Sequence, residues 1–180
     1  EIDRTQRGER DGSLLASIDR TVTSGGARAL AERIARPLRD PVAINHGLDA
    51  VEHLLERRDL RRDLRDGLRA SSDVARAASR LVLGRGGPRD LAAIRTGLSV
   101  AEGIAGLFPP DRDPLTGPPA RISACLDRLM LSPDLGRLLV DLAEGLVNEP
   151  PHLTRDGGFP ALNIDNVDFC LELLHSDVIN

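Results

Sequence analysis

The sequence predicts an all-α protein, an irregular antiparallel helical bundle, and three observations support that class. Apolar residues recur at steps of three and four along most of the 180-residue chain, which places them on single faces of helices. Alternation of apolar and polar residues, which is typical of half-buried strands, is missing. Clusters of Pro and Gly divide the pattern into helix-sized pieces with short connections, as in a bundle.

The first elements each begin at a capping residue. Ser13 is expected to cap a short helical turn, and the hydroxyls of residues 21–26 cap a helix with apolar residues up to Leu38. Asp40 followed by Pro41 is a strong signal for the start of another helix. We expect that helix to bury one apolar face. The residues of that face are Ile44, Leu48, Val51, Leu54 and Leu55.

Further helices follow at regular intervals. Residues 57–69 carry leucines four apart among Arg and Asp, and another helix begins at Ser72 or Asp73. The glycine-rich segment 84–87 ends it, and Pro88 opens a long helix.

The last third of the chain begins with a proline-rich segment. Residues 108–119 contain five prolines and are predicted to form a rigid exposed loop. Two helices, over residues 122–129 and 135–146, come next. A Gly-rich turn and a last helix are predicted between residues 154 and 180.

The composition excludes several classes of protein. All 24 basic residues are Arg and the net charge is −4, so the chain has no overall basic footprint for nucleic acid. Tyr and Trp are absent, which removes the usual platform for base stacking. No apolar run approaches the ~18 residues that span a bilayer. Because Glu1 opens the chain, we expect a domain of a longer cytoplasmic protein. Cys125 and Cys170 are predicted to be reduced, semi-buried thiols.

Several ordered motifs are specific enough to indicate a family. Residues 17–40 read S-I-D-R-T-V-T-S-G-G-A-R-A-L-A-E-R-I-A-R-P-L-R-D, and residues 47–52 read G-L-D-A-V-E. Residues 80–91 read R-L-V-L-G-R-G-G-P-R-D-L, and E-P-P at 149–151 is followed by R-D-G-G at 155–158. In this order the motifs closely resemble domain III, the core or lever domain, of the MutS family of DNA mismatch-repair proteins.

The resemblance implies a mechanical role rather than a catalytic one. The family's lever relays conformational change between ATPase and mismatched-DNA-binding parts, which this chain lacks. ATP and Mg²⁺ belong to the full-length family, and no catalytic, cofactor-binding or metal-binding residue is implied here. The implied partners are mismatched duplex DNA through the full-length protein, other MutS domains in cis, and a MutL-type protein.

The resemblance also predicts boundaries and structural residues. Residues 1–158 are predicted to be the helical core. Residues 159–180 are a divergent tail, either the start of the lever helix or an altered chain end. The family's mismatch-reading Phe-x-Glu motif matches none of Phe108, Phe159 and Phe169. The residues expected to fix structural junctions are Arg20, Thr21, Thr23, Arg28, Pro88, Arg89 and Asp90.

Three other features have both a functional and a structural interpretation. Residues 84–87 resemble a phosphate loop, but Asp90 in the first helical turn favours a structural connection. His46 and His53 share a helix face, yet they lack metal-ligand spacing and a third ligand. The arginines of residues 57–69 would either contact phosphates or form ion pairs with the aspartates of the same segment. Helical spacing favours the ion pairs.

Two further functions compete with the lever role. One alternative hypothesis is an independent all-α protein-interaction module that shares only ancestry with MutS. The other is a metal-dependent hydrolase that uses His46 and His53. The second is much less favoured.

Overall fold

A computed structural model of the chain describes residues 2–108 and 117–151. Every regular element in these residues is an α-helix, which confirms the all-α prediction. The helices are α1 (Leu14–Ile18), α2 (Ser24–Ala35), α3 (Pro41–Glu56), α4 (Arg58–Ala70), α5 (Val74–Val82), α6 (Pro88–Gly106), α7 (Ala120–Leu129) and α8 (Pro133–Gly145).

The chain divides into two compact units. The first combines Glu1–Arg69 with Leu107–Asp127, and the second combines Ala70–Gly106 with Arg128–Asn180. The predicted boundary between residues 158 and 159 lies outside the described residues, as does the predicted last helix.

The predicted helix starts are confirmed at the capping atoms. The Ser13 hydroxyl accepts a hydrogen bond from the Ala16 backbone N–H at 3.2 Å and so caps α1. The Thr23 hydroxyl caps α2. The Asp40 carboxylate accepts from two backbone N–H groups at the start of α3. These side chains satisfy donors that have no partner within the helix.

One predicted helix end is wrong. The helix with apolar residues up to Leu38 ends at Ala35, and Leu38 lies in the connection to α3. Pro37 explains the difference, because a proline disfavours helical backbone in the residue before it.

The second unit contains a compact hydrophobic core built from α5, α6 and α8. Leucines spaced four apart on α8 continue to its C-cap and pack with the apolar face of α6 and two small residues of α5. The buried core residues are Ala77, Ala78, Leu91, Ile94, Leu98, Leu138, Leu142 and Leu146.

Gly97 lies where the start of α5 meets the middle of α6. A β-carbon built on Gly97 would be 2.0 Å from Val74 Cγ2 and 3.1 Å from Ser72 Oγ. The Ser72 hydroxyl donates a hydrogen bond to the Ala93 carbonyl, one turn earlier on α6. The missing side chain therefore sets how closely the two elements approach.

The end of α5 explains the predicted stop at the glycine-rich segment. Gly84 has a φ of 66°, and its N–H donates to the Leu81 carbonyl at 2.9 Å. The Arg85 N–H donates to the Arg80 carbonyl at 2.8 Å. These two bonds form a Schellman motif, in which a glycine readily adopts the left-handed conformation.

The first unit buries few apolar side chains. Helices α2, α3 and α4 contain no buried residue. The prediction that α3 buries its apolar face is wrong, because Leu48, Val51 and Leu55 are 59%, 55% and 60% exposed. Helical periodicity indicates which residues share a face but not whether another element covers that face.

Two smaller predictions are also wrong. Phe108 was expected in an exposed loop, but it is buried, as suits a large aromatic side chain. Cys125 was expected to be semi-buried, but it is an exposed free thiol on α7. Cys170 lies outside the described residues.

No helix in residues 2–108 or 117–151 is long and apolar enough to cross a membrane.

We expect Gly97→Ala to destabilise the chain. Replacing a helical glycine with alanine gains up to about 1 kcal/mol of helix propensity. Forcing a methyl group against the β-branched Val74 costs about 1–3 kcal/mol. The clash therefore wins, and urea unfolding should show a loss of about 1 kcal/mol.

Gly103→Ala is the matched control on the same helix. No atom lies within 4 Å of a β-carbon built at Gly103, so this change should raise stability by about 0.5–1 kcal/mol. The double change Val74→Ala with Gly97→Ala should recover part of the loss at Gly97. Equal stabilisation by both single changes would contradict the close contact.

Candidate functional site

The first predicted junction is organised by Asp19. Its Oδ1 accepts hydrogen bonds from the Thr21 backbone N–H at 2.9 Å and from the Thr21 hydroxyl at 2.7 Å. Its Oδ2 accepts from Arg10 Nη2 at 2.7 Å. The bonds from Thr21, followed by the attraction of Arg10, hold the pKa of Asp19 below its ordinary value despite some desolvation. The carboxylate thus joins the N-terminal segment to the loop before α2.

The other residues of this junction have separate roles. Arg20 Nη1 donates to the Asp19 carbonyl at 2.9 Å, and the Arg20 carbonyl accepts from Arg65 Nη1 of α4 at 3.1 Å. Thr23 caps α2 through the Gly26 N–H at 2.9 Å. The junction segment therefore fixes the start of one helix and contacts another.

Arg28 faces a cleft in the same unit. The cleft has a volume of about 340 Å³ and is lined by residues of α1, α2 and the N-terminal segment. The lining residues are Asp3, Arg4, Arg10, Leu15, Ala27, Arg28 and Ala31. Arg10 and Arg28 are thus close to the same space, next to the segment that Asp19 organises.

The second predicted junction is organised by Asp90 in the first turn of α6. Asp90 Oδ2 accepts from the Gly87 backbone N–H at 3.0 Å, which is the reciprocal half of a capping box. Asp90 Oδ1 accepts from Nε of Arg80 at 2.8 Å and also from Nη2 of the same guanidinium. One carboxylate therefore caps α6 and ties it to α5.

The environment of Asp90 favours its charged form. Partial burial alone raises the pKa of Asp90, but the hydrogen bonds from Arg80 and from Gly87 outweigh it. The result is a pKa below the ordinary value for an aspartate. Pro88, the first residue of α6, is buried beside this pair.

Arg89 joins the start of α6 to the segment after α8. Its Nε donates to the Pro150 carbonyl at 3.2 Å. Six residues further along α6, Arg95 donates to the Leu146 carbonyl at 2.9 Å and to the Asn148 carbonyl at 3.2 Å. A cation at the C-terminal end of α8 satisfies carbonyls that have no helical partner and interacts favourably with the helix dipole.

The seven predicted junction residues fall into two groups that lie in different units. Arg20, Thr21, Thr23 and Arg28 are in the first unit, and residues 88–90 are in the second. Within each group the residues contact elements at helix ends. Whether these contacts serve the function of a larger protein stays a prediction.

Sequence reasoning missed two residues that complete these junctions, Asp19 and Arg80. Asp19 stands inside the quoted motif, and the Asp-x-Thr spacing is a known local hydrogen-bonding pattern that signals such a turn. Arg80 lies ten positions before Asp90, so only the packing of α5 on α6 brings the pair together.

The glycine-rich segment does not fit a nucleotide phosphate. The Gly87 N–H, which a phosphate oxygen would need, is already bonded to the Asp90 carboxylate. That carboxylate also repels an anion at the same helix end. Residues 84–87 therefore do not fit a phosphate group of ATP.

His46 and His53 form no metal site with the residues that the structure describes. His46 is exposed, and His53 Nδ1 lies 3.2 Å from Arg57 Nη1, which can only donate. Desolvation, followed by the Arg57 charge, lowers the pKa of His53. Within residues 2–108 and 117–151, no cluster of three or more His, Cys, Asp or Glu side chains is placed to hold a metal ion.

Two of the five arginines of α4 pair with aspartates of their own helix, as predicted, whereas Arg61 and Arg65 donate to backbone carbonyls of other elements. Arg62 bonds Asp59 at 2.9 Å and Asp63 at 3.0 Å, and Arg69 pairs with Asp66. Arg61 Nη1 donates to the Leu54 carbonyl at the end of α3. These contacts engage arginine side chains that would otherwise be available to bind phosphates.

We expect Asp90→Asn to lower stability by about 1 kcal/mol at pH 7, because the charge-assisted bonds to a half-exposed Arg80 are weakened. The folded-state pKa lies below the unfolded-state value of about 3.9. The charge therefore stabilises the fold above that value, and the benefit is lost as the pH falls through the folded-state pKa.

The measurement is urea unfolding of both proteins from pH 7 down to about pH 3. The difference in unfolding free energy should shrink at the acidic end. The exposed Asp11→Asn is the control and should change stability little at pH 7. A difference of constant size at every pH would rule out the ionised carboxylate as its source.

Comparison with known proteins identifies the family. The family model of MutS domain III matches residues 1–176. The DNA mismatch repair protein MutS of Caulobacter sp. (strain K31) is 53% identical over 166 residues, which cover 91% of this chain and 18% of that protein. MutS of Rhizobium meliloti (strain 1021) is 48% identical over 161 residues, 88% of this chain and 17% of that protein.

MutS of Caulobacter vibrioides (strain ATCC 19089 / CIP 103742 / CB 15) is also 53% identical, over 166 residues. The chain thus spans less than a fifth of the length of these curated relatives. The matched region contains both junctions described above. The chain belongs to the MutS domain III family of DNA mismatch-repair proteins.

Proposed function

We propose that this chain is the core, or lever, segment of a MutS-like DNA mismatch-repair protein, where it relays conformational change between ATPase and mismatched-DNA-binding parts. The observation that carries the proposal is the packing of α5, α6 and α8 around one core, with the α5–α6 contact limited by Gly97. Close-packed helices of this kind shift as bodies rather than deform locally. A rigid element is what a mechanical relay requires.

The junctions support the same role. Asp90 fixes α6 to α5, and Arg89 and Arg95 fix α6 to the end of α8. A displacement applied to one of these helices would be passed to the others through charged or bifurcated hydrogen bonds. Such bonds are stronger and more directional than neutral contacts.

We further propose that the chain itself catalyses no reaction and holds neither ATP nor Mg²⁺. The proposal is supported by the Asp90 carboxylate, which takes the backbone donor of the glycine-rich segment. ATP and Mg²⁺ would be bound elsewhere in the longer protein.

The proposed partners follow from the family. Mismatched duplex DNA would be contacted through the longer protein, which would also supply other MutS domains in cis and recruit a MutL-type protein in the cytoplasm. A net charge of −4 and the internal pairing of Arg62 and Arg69 favour indirect rather than direct DNA contact by this chain.

A second candidate is an independent protein-interaction module. The exposed apolar face of α3 favours it, because such faces are typical of binding surfaces. The two candidates differ in what the loss of a junction would do to repair.

The first test measures direct DNA binding. We expect labelled duplexes with and without a G·T mismatch to bind this chain equally in fluorescence anisotropy, no tighter than the ~10⁻⁴–10⁻⁶ M of non-specific binding. Arg62→Ala should leave both titrations unchanged, because Arg62 is already paired with aspartates. A clear preference for the mismatch would mean that this chain reads DNA itself.

The second test removes two arginine side chains of the first junction. We expect the double change Arg20→Ala with Arg28→Ala, made in the full-length protein that carries this domain, to raise the spontaneous mutation rate towards that of a repair-deficient strain. The physical reason is that the Arg20 guanidinium bonds the Asp19 carbonyl and the Arg28 side chain lines the cleft beside α1 and α2, whereas the bond from Arg65 to the Arg20 backbone carbonyl is retained.

The matched control is Arg128→Ala with Arg137→Ala, which removes two other exposed arginines. Thermal unfolding of each purified chain separates a folding defect from a repair defect. Normal repair in the Arg20 and Arg28 variant would contradict the junction role.

A further inference from the structure

A cleft in the first unit lies between the last two turns of α2 and the start of α7. We call it the arginine cleft, because three arginines line it together with one glutamate and three apolar residues. Its volume of about 420 Å³ falls within the ~300–1,000 Å³ of typical ligand pockets. It shares no lining residue with the cleft beside Arg28.

The charges of the arginine cleft are strongly unbalanced. Arg33 lies in the last turn of α2, Arg36 is the C-cap of that helix, and Arg121 lies in the first turn of α7. One acidic residue, Glu32, lines the cleft and lies 3.7 Å from Arg36, with both side chains largely exposed. Three positive charges therefore face one negative charge, although the chain as a whole has a net charge of −4.

Two of these guanidiniums have no anionic partner in the part of the chain that the structure describes. Within residues 2–108 and 117–151, Arg33 and Arg121 form neither an ion pair nor a hydrogen bond, unlike Arg62 and Arg80. The position of Arg121 is also unfavourable by itself, because the dipole at the start of a helix disfavours a cation. An anion in the cleft would compensate both effects.

The floor of the cleft adds an apolar requirement. Leu30 is half-buried, Leu38 is 41% exposed and Ala29 is exposed. A small inorganic anion would pair with the guanidiniums but would leave these carbon atoms in water. A ligand that covers the floor as well would also gain the free energy of apolar burial.

These two requirements together distinguish between the possible anions. A nucleic-acid strand presents phosphates but no aliphatic side chain, and the net charge of −4 opposes its approach. A peptide segment with Asp or Glu on both sides of a leucine offers both groups at once. Its carboxylates can each accept two parallel hydrogen bonds from a guanidinium.

We propose that the arginine cleft binds an acidic peptide segment of a partner protein, in which carboxylates flank an aliphatic side chain. The carboxylates pair with Arg33, Arg36 and Arg121, and the aliphatic side chain packs on Leu30 and Leu38. The proposal uses only the residues of this cleft and does not depend on the relay function proposed above.

The test uses two fluorescent six-residue peptides with capped ends. One has two central leucines flanked on each side by Asp and Glu, and the other has Asn and Gln in place of the acids. Fluorescence anisotropy with the full 180-residue chain should show the acidic peptide binding about tenfold tighter than the amide peptide. Added salt should reduce the difference.

Variants of the lining make the test specific. Arg33→Ala with Arg121→Ala should weaken the acidic peptide about tenfold, whereas Arg128→Ala with Arg137→Ala removes the same charge from the second unit and should change its affinity little. Glu32→Gln should tighten the acidic peptide about threefold by removing the carboxylate that repels it. A gain of affinity of this kind cannot result from misfolding. Because these side chains are exposed, circular dichroism should show unchanged helix content.

Three results would overturn the proposal. The first is equal affinity, or no binding, for the acidic and amide peptides. The second is an equal loss of affinity in the two double-arginine variants. The third is inorganic phosphate or a short DNA duplex that binds as tightly as the acidic peptide and is weakened as much by the loss of Arg33 and Arg121. That result would assign the arginine cleft to phosphate, and the two phosphate ligands would show whether a free anion suffices.

Discussion

The absence of a side chain at Gly97 lets α5 and α6 approach closely, and the organisation of the second unit depends on that approach. Val74 and Ser72 lie where a β-carbon would otherwise be, and the Ser72 hydroxyl reaches the Ala93 carbonyl. The same closeness brings two alanines of α5 against the leucines of α6. At the other end of α5, Arg80 pairs with Asp90 of α6, so the two helices are held together at both ends of α5.

Several arginines connect one element of the fold to another. Arg61, Arg65, Arg89 and Arg95 each donate to a backbone carbonyl of a different element. A planar guanidinium with five donors can satisfy several carbonyls at once, which a lysine ammonium does less well. The 24 arginines are outnumbered by 28 Asp and Glu residues, which gives the net charge of −4, and some of these carboxylates form the ion pairs along α4.

Local features of the fold could be predicted from the sequence, whereas contacts between distant residues could not. Ser13, Thr23 and Asp40 cap their helices as expected, because capping depends on neighbouring residues only. The pairing of Arg80 with Asp90 and the central role of Asp19 depend on how separate segments pack. The four-three spacing on α3 was visible, but its exposure was not, since a period describes one helix and burial requires a second element.

The contrast between the units bears on how a relay would work. The second unit has its own core, whereas α2, α3 and α4 of the first unit contain no buried residue. Elements with few buried apolar contacts open at low free energy and respond most to a bound partner. A partner that contacts these helices would therefore stabilise the first unit by mass action. A unit that a partner can stabilise, next in sequence to one with its own core, is a physically reasonable way to convert binding into movement.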